Sequence, residues 1–279
     1  MKTIIKIFFI AVILSLTFKL DSQTYTWQQL GSGLQNGTNN TVKAITTYNG
    51  KIIYGGTFSL AGGVNVQNIA AFDPVNNTWS ALGAGVNGEV KALVVSGSDL
   101  IVGGSFTQAG VTNANHVAKW NGTNWSAMSS GLNDDVNALI VYSGSIIAGG
   151  NFSMSFGFNN VARWNGTNWS AMGSGLNDDV NALVVFSGSI IAGGNFSMPG
   201  GSDNVARWNG SSWVTMGSGL TGGGGDRVNA LTVMGSNLVA GGRFEQSGFT
   251  DISNVAKWNG SSWSAFKSDN FDDDVNAVI

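Results

Sequence analysis

The chain contains no cysteine, one histidine, two prolines and only 10% charged residues. Without cysteine there are no disulfides, thiolate metal sites, cysteine nucleophiles or lipid-modified cysteine anchors. His116 is the lone histidine, so a His-dependent triad has a single candidate base, and no Gly-x-Ser-x-Gly elbow exists to partner it. A phosphate-binding glycine loop and regular metal-ligand spacing are likewise missing. Basic clusters are missing too. Lys and Arg total 13 against 16 Asp and Glu, which argues against nucleic acid and anionic membranes as partners. The expectation is a chain with no catalytic constellation and no cofactor.

The N-terminus reads as an export signal. Lys2 and Lys6 precede an almost wholly apolar run from Ile7 to Leu16, and small Ser22 closes a short polar stretch. Cleavage after Ser22 leaves residues 23–279 as the mature domain, secreted or held at the cell surface, with no membrane span. An uncleaved anchor is the rival reading, although the apolar run falls short of the roughly 20 residues that a spanning helix needs. Loss of Lys2, Lys6, Lys19 and Asp21 leaves the remainder more acidic.

What the chain has in abundance is glycine, tryptophan and phenylalanine: 41, 10 and 15 residues respectively. Disordered segments are poor in aromatics, and here the glycines are periodic. The motif Val-x-Ala-[Leu/Ile/Val] recurs at Val42, Val90, Val136, Val180, Val228 and Val275, at intervals of 48, 46, 44, 48 and 47 residues. After each of the first five anchors comes a tight turn, then an apolar run ending in a glycine pair, then Phe one residue later (Phe58, Phe106, Phe152, Phe196, Phe244). A variable polar loop leads to Asn/His-[Val/Ile]-Ala-x-aromatic, and a further turn, Asn-Gly in four units, leads to a second Trp. Each unit thus holds four short apolar or alternating runs: strands a, b, c and d, expected in the third unit at 136–141, 145–150, 160–164 and 169–172. Four antiparallel strands repeated at this period predict an all-β fold, a β-propeller of four-stranded blades. Helical repeats would show a period of 3.6, which no segment does. A β-helix would use shorter coils.

Five complete units are legible. A d-type strand at 25–30 precedes them, and the start of a sixth strand a follows at 274–279. The expectation is an incomplete six- or seven-bladed ring. Residues 121–155 and 165–199 match at 31 of 35 positions, so two adjacent blades are near copies, which weakens any argument for a site that needs blade asymmetry.

The run Gly50-Lys51-Ile52-Ile53-Tyr54-Gly55-Gly56-Thr57-Phe58, followed by Asn68-Ile69-Ala70, resembles the bacterial delta-sixty repeat propellers. The glycine pair with the later Trp also resembles kelch repeats, the central domain of galactose-oxidase-like proteins, and fungal cortical markers of the Rax type. The resemblance implies a propeller and, in exported bacterial proteins, adhesion or surface display. It does not imply a copper oxidase, because the histidines and cysteine of such a site are missing.

Alternating strand direction puts the b–c and d–a loops on one face of the disc, and that face carries the variation. Variable loops on a rigid scaffold are where binding concentrates. The candidate ligand-binding residues are Gln108, Phe156, Phe158, Met198 and Phe249. Asp134, Asp135, Asp178 and Asp179 in the d–a loops are candidate calcium ligands, with plain solvated turns as the alternative. The cations Lys119, Arg163, Arg207 and Lys257 recur once in each of the last four complete units, with Ala71 in the first; an anion-binding belt is one reading, and pairing with acids of their own or a neighbouring blade, those four aspartates foremost, is the expected one. The acids are expected to sit in exposed loops, without a buried carboxyl of raised pKa. His116 occupies the place of Asn68, Asn160, Asn204 and Asn254 and reads as a strand-edge substitution. The functional expectation is a monomeric, non-enzymatic module for a protein or glycan ligand. The alternative is a carbohydrate-active enzyme or its accessory domain.

Overall fold

The computed structural model describes residues 37–154, 158–201, 203–222, 224–266 and 273–279. The expected signal at 1–22 and the first d-type strand at 25–30 lie outside the described residues. Among those described there is no helix, and so none long and apolar enough to cross a membrane. Five four-stranded antiparallel sheets follow in sequence, each in the order a-b-c-d. Blade 1 comprises Val42–Tyr48, Lys51–Gly56, Ile69–Asp73 and Thr78–Ala81. Blade 2 comprises Val90–Ser96, Asp99–Gly104, Val117–Trp120 and Trp125–Ala127. Blade 3 comprises Val136–Tyr142, Ser145–Met154, Phe158–Trp164 and Trp169–Ala171. Blade 4 comprises Val180–Phe186, Ser189–Gly194, Val205–Trp208 and Trp213–Thr215. Blade 5 comprises Arg227–Met234, Asn237–Arg243, Val255–Trp258 and Trp263–Ala265. Strand a of each blade runs beside strand a of the next, so the a strands form the innermost layer. This is the expected all-β propeller of four-stranded blades.

The a–b turns follow from residues that accept left-handed backbone. Asn49-Gly50, Ser143-Gly144 and Ser187-Gly188 have positive φ at both positions, as a type I′ hairpin requires. The c–d turns work differently. Trp120 pairs with Trp125 across a four-residue loop, in which only Gly122 is left-handed. Asn121 acts through its side chain, whose Oδ1 accepts the backbone N–H groups of Thr123 and Asn124 at 2.9 and 2.8 Å. Asp73 does the same in blade 1 for Val75 and Asn76, and the bonds from Asn76 hold its carboxyl below the usual range.

Four of the five apolar cores lie between blades, and the fifth is formed, among the described residues, by blade 1 alone. One cluster joins Ile53 and Ile69 of blade 1 to Val90, Leu100 and Phe106 of blade 2, and equivalents join each later pair. The glycine pair explains the close stacking. A Cβ at the first glycine would meet the anchor valine of the next blade: Gly103 against Val136 at 2.6 Å, Gly149 against Val180 at 2.6 Å, Gly193 against Val228 at 2.5 Å. A Cβ at the second would meet its own blade's backbone, as at Gly150, 1.9 Å from the Asp135 carbonyl oxygen. That crowding accompanies a β-bulge between Val136 and Ala138, repeated in all five blades. The bulge turns the intervening side chain toward the next blade: Asn137, Asn181 and Asn229 donate to the carbonyls of Val180, Val228 and Val275.

A second tie runs the other way. The d-strand Trp of each blade donates from Nε1 to a carbonyl of the blade before it: Trp125 to Leu82, Trp169 to Met128, Trp213 to Met172, Trp263 to Met216, at 2.9–3.2 Å. Trp79 Nε1 is buried with no partner among the described residues. Residues 273–279 take the place of a further strand a beside blade 5. Gly241 faces Val275, Val275 N–H donates to the Gly242 carbonyl at 2.9 Å, and Arg227 pairs with Asp274.

The two glycines of a pair therefore differ in what a methyl group would displace. Gly149→Ala meets a valine side chain and should cost about 1–3 kcal/mol as overpacking. Gly150→Ala meets backbone that cannot step aside and should cost more. Chemical denaturation of both variants checks the order; equal losses would refute it.

Candidate functional site

The d–a linkers and b–c loops share one face, as expected from strand direction, and they are bonded to each other. Val86 bridges Ala109, Thr221 bridges Gln246, Asn159 bridges Gly175 and Asp203 bridges Gly219. Three linkers are clamped by the left-handed residue just before the [Val/Ile]-Ala pair of strand c. Asn68, His116, Asn160, Asn204 and Asn254 all have φ between 60° and 69°, a conformation that Asn, Asp and His tolerate better than other side chains. From that position the Asn68, Asn160 and Asn204 amides donate to the Val86, Leu176 and Leu220 carbonyls at 2.8–2.9 Å. The recurring Asn is thus a linker clamp, a role that the sequence pattern did not disclose. His116 departs from it. Its Nδ1 lies 3.2 Å from the Gly104 carbonyl and 3.4 Å from Asp135 Oδ1.

A cavity of about 600 Å³ opens where blades 3 and 4 meet on this face. Linker residues Ser174, Leu176 and Asn177 form one side, Ser197, Met198 and Pro199 of the blade 4 b–c loop the other, with Asn159 and Trp213 also lining it. Among the described residues, no charged side chain lines it. Its walls are pinned: Asn177 Oδ1 accepts the Ser197 N–H at 2.8 Å, Asp203 Oδ1 accepts that of Met198 at 3.0 Å, and Leu176 N–H donates to the Asn159 carbonyl at 3.1 Å. A second cavity of about 350 Å³, beside blade 5, is charged and lined by Asp226, Arg243, Glu245, Asp273 and Asp274, among others.

The five candidate ligand residues do not form one site. Met198 lines the larger cavity. Gln108 is exposed at the base of a small hairpin in blade 2, where its backbone bonds to Asn87 and its Nε2 lies 3.5 Å from Asn113 Oδ1. Phe249 is fully exposed at the tip of the corresponding hairpin in blade 5. Val111, which sequence reasoning passed over, is just as exposed at the equivalent tip in blade 2. The signal was present: each follows a left-handed glycine, Gly110 or Gly248. Phe158 opens strand c of blade 3, paired with Met154. Phe156 lies outside the described residues.

The acids require two corrections. Lys119 pairs with Asp99 at 3.2 Å, and Arg163 Nε donates to Ser145 Oγ at 3.0 Å, so these cations meet the start of their own strand b and not the linker acids. Asp135 is held by Lys91 Nζ at 2.6 Å, because the bulge residue reaches the next blade's linker; Lys43 reaches Glu89 in the same way. Nor are all the acids freely solvated. The Asp179 carboxyl is pushed up, first by burial and then by Asp178, with Asp134 and Asp135 adding to it and Lys91 opposing. The acids of two neighbouring linkers therefore share one electrostatic environment.

Residues 16–178, more than half of the chain, match the family described as the Rax2 C-terminal β-propeller domain. The chain belongs to that family. Among solved structures the Rax2-type propeller is similar to the extracellular domain of a protein described as a one-component system, BT4673 from B. thetaiotaomicron. That match has TM-score 0.59 and 11% identity, over 91% of this chain and 32% of that one. It is also similar to the computationally designed protein Ika8, with TM-score 0.51 and 14% identity, over 82% of this chain and 62% of that one. The chain thus spans under two thirds of either. No curated protein matches its sequence.

The raised carboxyl carries a sign that can be tested. An acid raised in the fold favours the folded state while protonated, and that contribution is lost as pH climbs through the ordinary carboxylate range toward the folded value. Asp179→Asn, which mimics the protonated form, should raise the melting temperature near neutral pH and give no gain near about pH 3, where Asp179 is protonated in both states. Melting curves at both pH values decide it; a gain that persists in acid would point to packing instead.

Proposed function

We propose that this propeller is a non-catalytic extracellular binding module whose loop face holds a neutral, hydroxyl- or amide-rich ligand, a glycan before a peptide. The observation that carries the reading is the cleft between blades 3 and 4. It combines side-chain amides and hydroxyls from Asn159, Asn177, Ser174 and Ser197 with apolar surface from Met198, Pro199 and Trp213. Few polar groups converging over apolar surface are characteristic of ligand sites. Absence of charge in the lining disfavours phosphorylated or strongly ionic ligands. The signal-like N-terminus and the extracellular neighbour support exposure outside the cell, and the kelch and delta-sixty likeness fits surface display.

Ser174 is exposed and lines the cleft, so Ser174→Arg fills the space without disturbing the interblade core. In a glycan-array screen followed by titration of the best binder, this variant should bind at least tenfold more weakly. Phe249→Ala, on a different blade, should bind normally. Loss in Phe249→Ala alone would move the site to the hairpin tips.

One observation favours a second reading, a carbohydrate-active role. A raised carboxyl beside other acids is the arrangement from which general acids are made, and Asp179 stands in it. Release of reducing sugar from a polysaccharide panel, abolished in Asp179→Asn, would establish it.

A further inference from the structure

We infer that His116, Asp134 and Asp135 form a binding site for a divalent transition-metal ion, zinc being the best match, at the junction of blades 2 and 3. Their ligand atoms all lie within 4.8 Å of one another. Donors on a tetrahedral zinc ion lie about 3.4 Å apart, so a side-chain adjustment of up to about 1.4 Å gathers all three. One imidazole with two carboxylates, the remaining positions left to water, suits zinc and its neighbours. It does not suit calcium, which takes six to eight oxygens and gains little from nitrogen.

Three further features bear on this junction. His116 is the only residue at the strand c entry that is not Asn, and its ring turns to the Gly104 carbonyl and Asp135. The carboxylate is oriented as well. Lys91 Nζ holds Asp135 Oδ2 at 2.6 Å and Asn137 Oδ1 at 3.2 Å, which leaves Asp135 Oδ1 on the side of the imidazole. Finally, negative charge is in surplus. Asp134, Asp135 and Asp178 all act on Asp179, with Lys91 opposing them, and a dication would offset what Lys91 does not. Asp134 is exposed, so an ion can enter from solvent.

The near-copy in blades 3 and 4 is an internal comparison. It repeats the acids as Asp178 and Asp179 but carries Asn160, whose amide clamps the Leu176 carbonyl instead. This inference is independent of the neutral cleft, since the two share no residue.

The test is calorimetric titration of the full chain with zinc chloride, alongside His116→Asn and Asp134→Asn. His116→Asn installs the residue that the other blades use at the same backbone angle, so it should fold; Asp134→Asn changes an exposed turn. Wild type should take up one zinc ion per chain. Either variant should bind roughly ten- to a hundredfold more weakly, with a melting curve that no longer shifts on adding zinc. Absence of zinc binding by the wild type, or equal binding by wild type and His116→Asn, would overturn the inference.

Discussion

Every blade is held to the next by one steric fact: the first glycine of each pair has no side chain where the neighbouring anchor valine must sit. Val136 lies where a Cβ at Gly103 would be, and Val180 where one at Gly149 would be. That approach brings the innermost strands side by side, and sheets buried on both flanks can then be apolar throughout. The Trp Nε1 bonds run in the opposite direction, from each blade back to its predecessor. Together they stack the sheets from both the inner and the outer strand. Cysteine has no part in it, and the large shared interfaces supply the stability that disulfides would add to a smaller domain.

The loop face depends on that stacking. A d–a linker crosses from one blade to the next, so its position is fixed by two blades at once. The left-handed Asn at the start of strand c clamps the linker carbonyl, and the bulge residue of strand a reaches the following linker or strand. Where the clamp is Asn160 the junction encloses the neutral cleft; where it is His116 the junction gathers imidazole and carboxylates. One backbone thus presents two chemistries through single-residue differences, as expected when function is grafted onto a repeating scaffold.

Much of the fold was legible in the sequence because its causes are local or strictly periodic. The period near 47 residues, the type I′ turns at Ser143-Gly144 and Ser187-Gly188, and the face shared by b–c and d–a loops follow from turn chemistry and strand alternation. At the c–d turn, Asn-Gly marked a turn without revealing whether Asn contributes its backbone angle or its side chain. The site was far less legible. Gln108, Met198 and Phe249 stand on three blades, and sequence variation marked them individually without showing which share a cavity.

The sequence by itself determined blade count among the complete units, strand order, and the absence of thiol chemistry, since these depend on composition and on spacing along the chain. Tertiary structure alone decided that Lys91 reaches Asp135, that Lys119 turns to Asp99, that Asp179 is partly buried among other acids, and that His116 faces two carboxylates. Most of those meetings join residues some 20 to 90 positions apart, across blade junctions. The physical reason is that the bulge and the linker set side-chain direction in space, and a linear pattern of residue types carries no record of direction.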